Sequence, residues 1–413
     1  MNNMIIPIPL DIPDIEIKKI DIKDDEDIVI TVRSTVQGTK CNKCGAKIYK
    51  KHGYDKEIVL RHLSILGRKT FIGIRPSRYQ CPYCDNNPTT TQKLSWYNPR
   101  SPHTKAYEEH VLLCLISSTV EDVSIKENLG YEAVMGILNR YIGLKVNWSK
   151  IKILDVPGLD EISLKKGHKD FVTIVSGKVG HKTIVLAVLE DKKKATVRKF
   201  LKTIPKRLRK KIVAVCSDMY DGFINAAKEV FGKKVIVVDR FHVAKLYRGC
   251  LDKLRKKELK RLKEELSEKE YKKLKGVMWA LRKKNKKLSK EEWELSARLS
   301  EHSPLLKSGY DLCNDLTDIF EENISNVEAK RKINRWIKKT RKSGLGCFDS
   351  FISTLTKYID EITNYFIDRH TSGFVEGLNN KIKVIKRRCY GILNINHLFQ
   401  RIFLDLEGYA LFG

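Results

Sequence analysis

The sequence predicts a multidomain α/β protein with four parts: a cysteine-stapled N-terminal module, a short helical region, a mixed-sheet core and a long helical stretch. Three observations lead there. Two Cys-x-x-Cys pairs, Cys41/Cys44 and Cys81/Cys84, stand near the N-terminus. Residues 156–239 alternate apolar strand-like runs with helical runs, and from 243 to about 350 the chain is Lys/Glu/Leu-rich with helical periodicity. A length of 413 residues exceeds one average domain, and 42% hydrophobic content suffices for real cores. No apolar run approaches the roughly 18 residues that span a bilayer. The first residues lack the basic-then-apolar pattern of a secretory signal. Membrane, secreted and collagen-like classes are therefore not expected, and the scattered cysteines fit a reducing, cytoplasmic setting.

The charge is large and uneven. Lys and Arg total 80 against 50 Asp and Glu, a formal net charge of +30. Residues 1–30 carry −5, so the remainder carries +35. A polyanion partner, DNA or RNA, is the natural reading, with a general basic surface bias as the plain alternative.

Taken in order, residues 1–36 form an acidic N-terminal segment in which 28–32 reads as a strand. Residues 37–95 form a zinc-binding module. Each Cys-x-x-Cys lets two thiolates reach one ion from a tight turn, and two pairs complete a tetrahedral four-sulfur site. The 36 residues between the pairs favour a zinc ribbon with an inserted hairpin over a compact finger; 58–61 and 68–74 read as its strands. A pair completed by His52 or His62 is the other reading. Arg61, Arg68, Arg75 and Arg78 would let the module touch phosphates.

Residues 103–148 form a helix-turn-helix candidate. A helix from Thr119 buries Val120 and Val123, Leu129-Gly130 turns, and a helix from Tyr131 buries Val134, Ile137 and Leu138. Arg140 and Asn139 are the base- or phosphate-reaching side chains; plain three-helix packing reads almost equally well.

Residues 155–242 read as the first part of the core, in the order β-β-β-α-β-α-β: strands at 158–164, 171–175, 183–189, 212–216 and 235–238, with helices near 194–203 and 220–230. Asp160 falls within the first strand and Asp218 just past the fourth. If these strands are neighbours, the two carboxylates meet at one sheet edge, and such a pair repels itself unless a cation sits between. A third acid from a later helix, Glu376, completes a two-magnesium site for phosphodiester chemistry. Lys381, Lys383, Lys386, Arg387 and Arg388 follow it and would hold a nucleic-acid backbone. Singly, each acid has a plain role as turn cap, helix cap or surface residue. Residues 243–355 form a helical region with an apolar Leu face. Of Trp279, Trp293 and Trp336, at least two are expected in its core, and one could wedge against unpaired bases. Residues 356–413 close the core with Glu376 and a basic tail.

Four strings together carry a resemblance: Asp160-Glu161-Ile162-Ser163, Cys216-Ser217-Asp218-Met219-Tyr220, Asp239-Arg240-Phe241-His242-Val243 and Glu376-Gly377-Leu378-Asn379-Asn380-Lys381-Ile382-Lys383. With them the chain resembles DDE transposases of the ISL3 insertion-sequence family over nearly its whole length. The resemblance implies a ribonuclease-H-like core interrupted by the helical region, with Asp160, Asp218 and Glu376 as a Mg²⁺ (or Mn²⁺) triad. It implies Zn²⁺ on Cys41, Cys44, Cys81 and Cys84, and double-stranded DNA, transposon ends and target, as partner. It implies no membrane partner, a homodimer or larger assembly on DNA, and a prokaryotic, nucleoid-associated location. His242 would orient a phosphate or the leaving hydroxyl; a capping Asp239 with a packed His242 is the rival reading. Asp160 is preferred to its neighbour Glu161 by resemblance, because adjacent strand residues face opposite sides. Two rivals stand beside this reading: a non-catalytic DNA-binding protein on a dead scaffold, and a nuclease acting on RNA or hybrids.

Overall fold

In the computed structural model, residues 9–164, 171–180, 182–232, 234–370, 373–389, 392 and 394–413 are described. The first eight residues of the acidic segment and Ser372, which precedes the Glu376 string, lie outside the described residues. The chain divides into two compact units, residues 1–142 with 403–413, and residues 143–402.

In the first unit, β1 (Ile15–Ile22) and β2 (Ile28–Ser34) form an antiparallel pair. Short strands β3 (Thr39–Lys40) and β4 (Lys47–Ile48) frame the first cysteine knuckle. After β5 (Lys50–Tyr54) comes a hairpin of β6 (Ile58–Ile65) and β7 (Arg68–Ile74). Leu66 and Gly67, both at positive φ, make its two-residue turn. The acidic segment is not a separate arm: the sheet order is β1-β2-β7-β6, so β2 pairs with the inserted hairpin. Alternation explains this, since Ile30 and Val32 point into a small core with Leu60, Ile72, Ile74 and Trp96. β8 (Ser77–Gln80) and β9 (Thr89–Thr91) join β5 in a second sheet carrying the other knuckle.

Three helices follow: α1 (Lys105–Leu115), α2 (Val120–Glu127) and α3 (Tyr131–Tyr141). Thr119 starts α2 through a capping box with Asp122, and Asn128 ends it in the left-handed region. Val123, Val134, Ile137 and Leu138 are buried together, as their spacing requires.

In the second unit, β10 (Val156–Ser163), β11 (Phe171–Val179) and β12 (Lys182–Leu189) form an antiparallel meander. Then come α4 (Lys194–Thr203), α5 (Lys206–Arg209), β13 (Ala214–Ser217), α6 (Asp221–Phe231), β14 (Val235–Val238) and α7 (Arg240–Glu265). The five-stranded sheet runs β12-β11-β10-β13-β14, with β10, β13 and β14 parallel. The run expected at 212–216 forms its strand one step later, as the buried interior strand β13, and the run at 235–238 forms β14, which ends the sheet order yet is buried over Ile236, Val237 and Val238. Helices α8 (Glu268–Lys272), α9 (Val277–Ala280), α10 (Lys290–His302), α11 (Pro304–Glu321), α12 (Asn326–Lys342), α13 (Asp349–Lys357), α14 (Ile359–Thr363) and α15 (Tyr365–Asp368) build the helical region. Leu251, Leu254, Leu262 and Leu274 lie in its core. The tryptophan expectation fails: Trp336 is 3% exposed and donates Nε1–H to the Leu312 carbonyl (2.8 Å), but Trp279 and Trp293 are 59% and 61% exposed. One of the three is therefore core rather than two: Trp279 on α9 and Trp293 on α10 face outward. The chain ends with α16 (Gly373–Arg388) and α17 (Ile395–Phe412). Among the described residues no helix is long and apolar enough to cross a membrane.

Candidate active site

Strand register assembles this site. In the parallel pair, Leu159 stands beside Ser217, so Asp160 and Asp218 are the next residues on neighbouring strands. Ser217 stands beside Val238, so Asp239 comes next on the third strand. Three acids thus occupy one level of the sheet, Asp160 within β10 and Asp218 and Asp239 just past the C-terminal ends of β13 and β14, the side on which open α/β sheets place ligands.

Their side chains divide the work. Asp160, Asp218 and His242 each offer one donor atom, all within 4.8 Å of one another. His242, in the first turn of α7, sets Nδ1 3.2 Å from Asp218 Oδ1. Asp239 is buried and caps α7, accepting from Phe241 N at 3.1 Å. Backbone amides brace the other two acids: Glu161 N donates to Asp160 Oδ1 (2.7 Å), and Met219 N to Asp218 Oδ1 (2.6 Å). Burial pushes the Asp160 carboxyl above its ordinary range, and the charges of Asp218 and Asp239 push the same way against the Glu161 amide and His242. Such an acid cluster is strained by its own charge and is relieved by a cation.

Glu161 faces elsewhere and pairs with Lys192 at 2.8 Å. Asp221 accepts from Tyr358 Oη (2.9 Å) and pairs with Lys357, away from the acid group. Glu376 lies half-buried in the first turn of α16, and its carboxylate is not among the three grouped donors. One turn later on that helix, buried Asn379 donates Nδ2–H to Asp160 Oδ2 at 2.6 Å, so Glu376 stands at i−3 from a residue that touches the site. Asn379 Oδ1 is buried without a hydrogen-bond partner, an open polar position beside the acids. Sequence reasoning did not single out Asn379; its i+3 spacing from Glu376 was the available signal.

Close packing fixes α16 against β10. A Cβ on Gly158 would lie 2.4 Å from Val375 Cγ2 and 2.6 Å from Ser176 Oγ. Gly158→Ala is therefore expected to destabilise the protein by about 1–3 kcal/mol through overpacking. A denaturant midpoint equal to wild type would refute that close fit.

The basic residues separate into engaged and free. Arg140 pairs with the fully buried Glu108, which also accepts from Asn98, Ser101 and Tyr141, so its guanidinium serves the three-helix core. Lys386 donates to the carbonyls of Ser163 (2.6 Å) and Leu164 (2.8 Å), closing the end of β10, and its burial lowers the ammonium pKa. Lys381, Lys383 and Arg387 are exposed, and Arg388 is half-buried with a partner of its own. In the cysteine module Arg61 is held by Glu127 and Arg78 by Thr89, while Arg75 is exposed.

The four cysteines Cys41, Cys44, Cys81 and Cys84 bring their sulfurs together within 4.8 Å. Cys41–Cys84 and Cys44–Cys81 stand 3.9 and 3.7 Å apart. A tetrahedron with metal–sulfur bonds of about 2.3 Å has edges of about 3.8 Å, so the donor set fits zinc. Gly45, at φ +73°, lets the first knuckle turn back, its amide donating to the Cys41 carbonyl. A further group, His110, Cys114 and Glu127, is tied to Tyr107 of α1 and Arg61 of β6.

Comparison with known proteins places these features in context. The ISL3 family model described as a transposase matches residues 158–402, and a model described as the zinc-finger of transposase IS204/IS1001/IS1096/IS1165 matches residues 37–84. The transposase for insertion sequence element IS1001 of Bordetella parapertussis is 26% identical over 386 residues, 92% of each chain. The transposase for insertion sequence element IS1557 of Mycobacterium tuberculosis is 22% identical over 422 aligned residues, covering 96% of this chain and 93% of that one.

Proposed function

The chain belongs to the ISL3 transposase family, and from that we propose that it cuts DNA at the terminal repeats of an insertion sequence and transfers the freed ends to target DNA. The observation that carries this reading is the meeting of Asp160 and Asp218, from neighbouring parallel strands, with His242 from the first turn of α7. Asp160 and Asp218, with Glu376 as third ligand, would hold Mg²⁺ or Mn²⁺, which supplies Lewis-acid activation of a water and stabilisation of the leaving oxygen.

The chain's own residues position everything else. Strand β10 fixes Asp160, the end of β13 fixes Asp218, and Asn379 holds one oxygen of Asp160. His242 turns Nδ1 to Asp218, which leaves Nε2 to meet a phosphate oxygen or hold a proton at the leaving hydroxyl. Glu376 enters on α16, locked to the sheet through Val375 and Gly158. Lys381, Lys383 and Arg387 lie exposed along the same helix and would grip the backbone of the bound strand. The zinc-ribbon module would bind DNA together with the three-helix region, which its match to a transposase zinc-finger model supports. Cutting two ends together calls for at least two chains on DNA.

The test incubates the full chain with duplexes carrying the element's ends and Mg²⁺, mapping cut positions. Wild type should nick at the ends, and Glu376→Gln should lose at least about a hundredfold in rate. An uncut substrate with Mg²⁺ and Mn²⁺ alike would leave the non-catalytic DNA-binding alternative, and full activity in Glu376→Gln would remove that residue from the triad.

A further inference from the structure

We propose that α7 and α9 form a track for a DNA strand leaving the acid site, with Trp279 as the stacking platform for an unpaired base; this rests on the DNA-cutting reading above. A pocket of about 330 Å³ opens between these helices, lined by Lys245, Arg248, Asp252, Arg255, Met278 and Arg282. Its charge is strongly positive, with four cations facing one acid. The acid is already neutralised: Arg255 Nε and Nη2 both donate to Asp252 Oδ1 (2.9 and 2.7 Å), and Lys256 lies 3.2 Å from Oδ2. Among the described residues no acid pairs with Lys245, Arg248 or Arg282, and all three are exposed. Three uncompensated cations around a concave surface suit phosphodiester oxygens.

The position of this pocket ties it to the site. Helix α7 begins at the acids, with His242 against Asp218 in its first turn. At about 1.5 Å per residue, Lys245 stands about 4.5 Å farther along that axis and Arg248 about 9 Å. A strand rising about 3.4 Å per nucleotide would meet these two cations about one to three nucleotides beyond the scissile phosphate. One rigid helix thus presents a catalytic neighbour and a row of phosphate partners in fixed spacing.

Trp279 supplies the other half of the argument. It sits on α9 next to Met278 of the pocket wall, 59% exposed, with the Arg282 guanidinium 5.2 Å from its ring centroid. The cation is held over the indole beside the pocket, an arrangement that joins a phosphate partner to a flat aromatic face. A base within a duplex offers no free face to such a ring, so the occupant is an unpaired base, at the frayed or distorted junction next to the cut.

The experiment measures binding of the full chain without added magnesium, by fluorescence anisotropy. The probes are labelled oligo(dT) of about 20 nucleotides and a duplex of about the same length. Trp279→Ala should weaken single-strand binding about tenfold and duplex binding much less, and Trp279→Phe should restore most of it. Lys245→Ala with Arg248→Ala and Arg282→Ala should weaken both probes and lower the salt slope by about 2 to 3. All of these side chains are exposed, so equal melting temperatures are expected and are checked alongside. Single-strand affinity within about twofold of wild type in Trp279→Ala, or an unchanged salt slope in the triple variant, would overturn the track. Cleavage is not read here. A chain that binds through these residues but never cuts DNA sinks the proposed function alone, and one that cuts with Trp279→Ala binding intact sinks this inference alone.

Discussion

Asp160→Asn is expected to reduce DNA cleavage by about a thousandfold or more, while leaving the metal-free fold at least as stable as wild type. Divalent-metal catalysis supplies several kcal/mol of transition-state stabilisation, and about 4 kcal/mol corresponds to about a thousandfold in rate. The amide keeps the shape of the carboxylate and can still receive the Glu161 amide at its oxygen, while a flip of the Asn379 amide brings its unpartnered Oδ1 to accept from the new NH2. What it removes is a buried negative charge close to Asp218 and Asp239. Because that carboxyl has a raised pKa in the fold, the wild type is most stable below the pKa of the unfolded chain and loses stability as pH rises through the folded value. Asp160→Asn lacks that loss, so metal-free melting temperatures should converge in acid and favour the variant toward neutral pH. Added Mg²⁺ should raise the wild-type melting temperature and leave the variant's unchanged. A variant that cuts at the wild-type rate, or melts well below wild type at neutral pH without metal, would contradict the assignment of Asp160 as a charge-strained cation ligand.

The sequence already carried the periodicities from which this site is built, and the reason lies in where information is local. Runs 212–216 and 235–238 are short and apolar, with Asp218 two residues past the first and Asp239 directly after the second, so strand ends and acids could be read together. Parallel register then needs only that β10, β13 and β14 be neighbours, which they are. The choice between Asp160 and Glu161 was not local. It depends on Lys192, 31 positions beyond Glu161, reaching back to Glu161 and on Asn379 reaching Asp160. For the same reason Arg140 read as a DNA contact: nothing near it in sequence reveals that Glu108 is buried beside it. Lys386 likewise reads as one more cation in a basic run until the carbonyls ending β10 are in place to receive it. At least two of Trp279, Trp293 and Trp336 read as core residues, yet only Trp336 is buried, and nothing near Trp279 on α9 or Trp293 on α10 in the sequence tells which way those helices turn.

Removing zinc is expected to unfold the cysteine module selectively. The sulfurs of Cys41, Cys44, Cys81 and Cys84 gather a two-stranded and a three-stranded sheet whose own apolar core is little more than Ile48 and Tyr79. Strands of two to five residues with so small a core do not hold together without a staple. Structural zinc contributes apparent binding energies of about 10–16 kcal/mol in isolated fingers, far more than this module could supply from burial. The neighbouring sheet differs. β1, β2, β6 and β7 share Ile30, Val32, Leu60, Ile72, Ile74, Leu94 and Trp96, and contain no metal ligand. Cys81→Ser, or chelation of the wild type, should therefore release amide protection in β3, β4, β5, β8 and β9 while β6 and β7 stay protected. Residues 143–402 should melt as before, and DNA-end binding should fall while Mg²⁺-dependent nicking of DNA already bound through the core is spared. Hydrogen exchange read segment by segment decides it: protection of residues 39–54 unchanged after zinc is lost would mean that the four cysteines do not hold this module together.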